Sequence, residues 1–155
     1  MRAGVGIAVL PIFLAAFGIT SCNRSKKRST GSLTEAQTIT LITHHRKLAV
    51  KLLNGHGLAA DFSIGSIKGL DWMVDQDPED ARRGAEWLAV YLGEAIRTKN
   101  PGSWNARVGR SGLELELQFD NGGTVWPLQR VAKRITQGSE NGLYGYALSL
   151  TEHSQ

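Results

Sequence analysis

Apolar residues recur in this 155-residue chain in three successive patterns. The first is a nearly unbroken apolar run from Ala3 to Ile19, interrupted at Pro11. The second is helical. Ser32-Leu33-Thr34-Glu35 has the form of a capping box, a hydroxyl at the N-cap and a carboxylate three residues later. Ile39, Ile42, Ala49, Leu52 and Leu53 then follow at helical spacing, and Asn54-Gly55-His56-Gly57 ends the helix. A second helix is expected from Ser63 to about Asp75, with Ile64, Ile67, Leu70, Met73 and Val74 inward, although Gly65 and Gly69 lower its propensity. A third has Asp77 as its cap, Pro78 at its first position and Glu79 and Asp80 against the N-terminal dipole. Ala81, Ala85, Leu88, Leu92, Ala95 and Ile96 form its stripe, and Asn100-Pro101-Gly102 stops it.

The period then falls to two. Trp104, Ala106 and Val108 alternate with polar residues up to a turn at 109–112. Leu113, Leu115, Leu117 and Phe119 alternate with Glu114, Glu116 and Gln118, the pattern of a half-buried strand. Asp120-Asn121-Gly122-Gly123 turns the chain into a short third strand, Thr124 to Trp126. Pro127 opens a helix carrying Leu128, Val131 and Ile135 and closed by Gly138. Leu143, Tyr146, Ala147 and Leu150 fit a last helix. Helices and strands segregate, so the expected class is α+β: N-terminal helices, a small three-stranded antiparallel meander, then one or two C-terminal helices. This order resembles a small bacterial domain family of unknown function. The likeness rests on Gly93-Glu94 late in a helix, Trp104 opening a strand, a glycine-turned hairpin, and Trp126-Pro127-Leu128 leading a helix with Lys133-Arg134. It implies the fold order and no known activity.

The opening run has the layout of a secretory signal, with Met1-Arg2 as the positive start, an apolar middle, and small residues Thr20-Ser21 before a cut. Cys22, the only cysteine, stands at that boundary, where it cannot form an internal disulfide. Ile19-Thr20-Ser21-Cys22 resembles the lipobox of bacterial lipoproteins. The resemblance implies a diacylglyceryl group on the Cys22 sulfur, cleavage before it, and a body in the periplasm or outside the cell. Two or three acyl chains, each buried CH₂ contributing about 0.8 kcal/mol, then anchor the chain stably in the cell or outer membrane. Asn23 is not the aspartate linked with inner-membrane retention, which leans toward the outer membrane. The competing expectation is an uncleaved anchor with a cytoplasmic body, because Arg24, Lys26, Lys27 and Arg28 follow the run. The expected division is residues 1–21 as signal, 22–32 as lipidated cysteine and flexible basic tether, and 33–155 as one domain.

The chain is formally +4, yet five of its eighteen basic residues lie in positions 1–31, which hold no acid. The remaining thirteen face all fourteen acidic residues, so the body is nearly neutral. Nucleic acid is therefore excluded as a partner, because its footprint requires basic residues gathered on the domain. Candidate chemistry is sparse. Gly55-His56-Gly57-Leu58-Ala59-Ala60 matches a relaxed dinucleotide fingerprint, but a helix precedes it where a strand is required. His44-His45 are adjacent and so do not share a helical face. Asp75, Asp77, Glu79 and Asp80 resemble part of a calcium loop without its glycine or its distant glutamate, and helix capping explains them better. Ser66 and Ser111 lack an assigned base, and His56 and His153 are isolated.

No catalytic, cofactor or metal residue is assigned on these grounds. Trp72, Trp87, Trp104 and Trp126 are numerous for the size, and most are expected to anchor the core. Trp126 beside Arg130, Lys133 and Arg134, three charges on one helical face, is the candidate partner-binding patch. The expected function is a lipid-anchored envelope protein that binds another protein or envelope component. A small envelope hydrolase or other ligand-binding enzyme is the alternative.

Overall fold

The computed structural model describes residues 31–152. The lipobox, Cys22, the basic residues of the tether and His153 lie outside the described residues. The order is β1 (Gly31–Ser32), α1 (Glu35–Gly55), α2 (Ile67–Gln76), α3 (Pro78–Arg83), α4 (Ala85–Arg97), β2 (Gly102–Gly109), β3 (Gly112–Phe119), β4 (Thr124–Val125), α5 (Pro127–Gln137), a 3₁₀ turn (Ser139–Asn141) and α6 (Leu143–Glu152). The class is α+β. The sheet is antiparallel in the order β1-β2-β3-β4. It has four strands where three were expected, because Gly31 and Ser32 pair with Val108 and Arg107 instead of ending a free tether.

That pairing also moves the first cap. Ser32 is held in the sheet, so Thr34 caps α1, accepting from Gln37 N, while the Gln37 carboxamide oxygen accepts from Thr34 N. The second helix begins at Ile67 rather than Ser63. Asp61 and Ser63 side chains bond the backbone of 61–66 and hold a turn there. The third helix divides at Gly84, where a Cβ would lie 2.7 Å from Leu52 Cδ2 of α1.

The core is organised on α4, whose residues Leu88 through Ile96 are all buried. A helix apolar on every side belongs in an interior. Packed around it are α1, α2, α5 and α6, while β2 packs on α1 and β3 on α5. Ala106, Leu115, Leu117 and Phe119 turn inward, and Ser103, Asn105, Arg107 and Gln118 turn outward. Among the described residues no helix is long and apolar enough to cross a membrane.

Candidate functional site

The expected patch at the start of α5 divides in two. Val125 pairs with Leu117, so Trp126, the next residue, falls beside Glu116 at the edge of the sheet's outer face. Trp126 is 46% exposed and lines a groove of about 430 Å³ together with Leu33, Asn105, Arg107, Glu114 and Glu116. Cross-strand pairs hold the polar wall: Arg107 bonds Glu114, and Asn105 Nδ2 donates to Glu116 Oε1 at 3.1 Å. Lys133 is exposed on α5. Arg130 lies 4.7 Å over the Tyr146 ring and donates to Gly142 O at 3.1 Å, so it clamps α5 to α6. Burial pushes the Tyr146 phenol up, against the opposing charge of Arg130.

Arg134 does not share an exposed face with Lys133 as the expected patch requires, because it is only 3% exposed. Its Nε donates to Asp71 Oδ1 at 2.9 Å and its Nη2 to Asp75 Oδ1 at 2.7 Å. Burial works against its charge, but Asp75 and Asp71 outweigh that and raise its pKa. The Asp71 carboxylate also accepts from Leu143 N and Tyr144 N, the first amides of α6. One side chain of α2 thus supplies the cap that α6 lacks locally and the anion that Arg134 needs. Arg134 is a structural residue rather than part of a docking face.

A second polar cluster lies where α1, α4 and β2 meet. Glu94 is 7% exposed and accepts from Trp104 Nε1 at 2.8 Å. Arg97 Nε lies 2.9 Å from Glu94 Oε1, and Arg46 Nη1 lies 3.3 Å from Oε2. Gly93 lets the indole lie on α4, since a Cβ there would stand 2.2 Å from Trp104 Cη2 and 3.3 Å from Pro127 Cγ. Gly93, Glu94, Trp104 and Pro127 therefore converge on one junction between helix, strand and the α5 start.

The remaining candidates have local partners. His45 is buried, with Nε2 4.0 Å from Glu86, and desolvation lowers its pKa against the pull of Glu86. Asp77 caps α3 by accepting from Asp80 N, Asp75 pairs with Arg134, and Glu79 pairs with Arg82. Asp80 meets Arg83 and the His56 ring, whose Nε2 is 3.2 Å away, and Arg83 foremost holds its carboxyl below the usual range. Among the described residues, His56, Asp77 and Asp80 could share a cation, their ligand atoms lying within 4.8 Å of one another. His56 stands more than twenty positions before the two aspartates, so only the return of α3 to the end of α1 reveals the group. The Ser66 hydroxyl is 2.7 Å from the buried Tyr91 hydroxyl, which also accepts from Phe62 N. Compared with known proteins, the chain matches no family, no curated protein and no solved structure.

Proposed function

We propose that this chain is a lipid-anchored cell-envelope protein, held by an acylated Cys22, whose α+β body is a non-enzymatic module that binds another protein or envelope component. The anchor rests on Ile19-Thr20-Ser21-Cys22, where the only cysteine ends an apolar run. Between Cys22 and β1 stand eight residues, 23 to 30. Fully extended, they set a reach of about 30 Å between the acyl group and the sheet edge. The body would work close to the membrane surface.

The observation that carries the binding function is Trp126, a half-exposed indole beside a groove walled by charged pairs. Aromatic anchors rimmed by polar groups are the usual energetic centre of a protein interface. Arg134 leaves the proposed face, and Trp126, Glu116 and Lys133 remain, with Arg130 holding α5 in place.

A photo-crosslinking amino acid at position 126, in cells making the full chain, tests this function. Light-dependent joining to one discrete partner is expected, with a loss of about tenfold on Glu116→Lys. The same probe at exposed Lys99 should give no such product. A folded protein that joins nothing through position 126 would remove this face from the binding function.

A further inference from the structure

We propose that the groove between α1, α4 and β2 binds a small amphipathic carboxylate, its charge on Arg46 and Arg97 and its aliphatic body against Ile39 and Ile42. This site is separate from the Trp126 face and does not depend on it.

The charge count points to an anion. Two guanidinium groups face the single buried carboxylate of Glu94. One arginine would neutralise it. Both are half-exposed along a groove of about 310 Å³, and each has N–H groups beyond those directed at Glu94. Arg46 lies 4.8 Å over the Phe62 ring, and Arg97 Nη1 donates to Gly102 O, so both are positioned before a ligand arrives. The other acid on the groove, Glu35, is exposed in the first turn of α1, where water screens it.

Thr38, 4% exposed, also lines the groove and adds a hydroxyl to its polar side.

The body of the ligand follows from the other wall. Ile39 is 58% exposed, and together with Ile42 and Trp104 it makes one side of the groove apolar. Bare phosphate or sulfate would leave that side wet. At about 30 Å³ per water-sized volume, the groove accommodates roughly ten heavy atoms. A branched aliphatic acid has the matching size and polarity.

The test follows the Trp104 indole N–H signal by NMR in the full chain, with Trp104→Phe to assign it. Its bond to Glu94 makes it sensitive to any anion that draws Arg46 or Arg97. The probes are 4-methylpentanoate, its amide, acetate and inorganic phosphate. A saturable shift is expected with 4-methylpentanoate, and binding about tenfold weaker for each of the other three. Arg46→Gln should weaken 4-methylpentanoate about tenfold while the rest of the spectrum stays in place. Should that variant fail to fold, Ile39→Glu, at an exposed position on the apolar wall, decides in its stead. Absence of a saturable shift, equal binding of the amide or of phosphate, or full affinity in the deciding variant would overturn the proposal.

Discussion

Replacing Asp71 by alanine is expected to lower stability by about 3 kcal/mol, because the buried Arg134 charge keeps only Asp75 of its two carboxylate partners. The same change removes the acceptor for Leu143 N and Tyr144 N, so the first turn of α6 loses its cap. For a domain of about 120 residues this corresponds to a fall in Tm of about 12 °C. The denaturant midpoint should fall with little change in slope. Asp71→Asn keeps a carbonyl oxygen for the α6 amides but removes the charge, so a smaller loss is expected. A loss under about 1 kcal/mol for Asp71→Ala would mean that Asp75 alone satisfies Arg134.

The second large effect is at Gly93. In a helix without neighbours, alanine in place of glycine adds about 1 kcal/mol of stability. Here the new Cβ would lie 2.2 and 2.3 Å from two atoms of the Trp104 ring and 3.3 Å from Pro127 Cγ. Overpacking of this kind costs about 1–3 kcal/mol, and the indole must also leave Glu94, exposing a buried carboxylate between two arginines. A net loss of about 2 kcal/mol is therefore expected from Gly93→Ala, with a shifted Trp104 indole signal. Trp104→Leu in the same chain should recover part of it, a coupling that urea unfolding of the four variants measures. A Gly93→Ala protein as stable as the parent would contradict the packing of Trp104 on α4.

These two sites also mark the limit of what the residue order discloses. Local signals placed the α5 start at Pro127, the β2–β3 hairpin and the cap at Asp77 correctly, because each depends on residues within about four positions. The stripe expected for α4 covered only one side, since periodicity shows a preferred face and α4 is buried on all of them. Gly31–Ser32 reads as tether because a two-residue edge strand has no period of its own, and only its partners Val108 and Arg107 define it. Arg130, Lys133 and Arg134 look alike on a helical wheel. What separates them is Asp71, 63 positions from Arg134, and no local pattern joins the two. Separation in sequence likewise conceals Arg46 from Glu94, and hence the groove.

The nearly neutral body and the basic segment before it suit the proposed function, in which residues before β1 would meet the membrane and the sheet a partner. That function depends on Cys22. The direct measurement is the intact mass of the chain purified from its own membranes, with palmitate labelling of the parent and of Cys22→Ser. The expected chain begins at Cys22, carries two or three acyl groups, and loses both cleavage and label in Cys22→Ser. A chain that begins at Met1 without label would contradict the anchor and return the body to the cytoplasmic side.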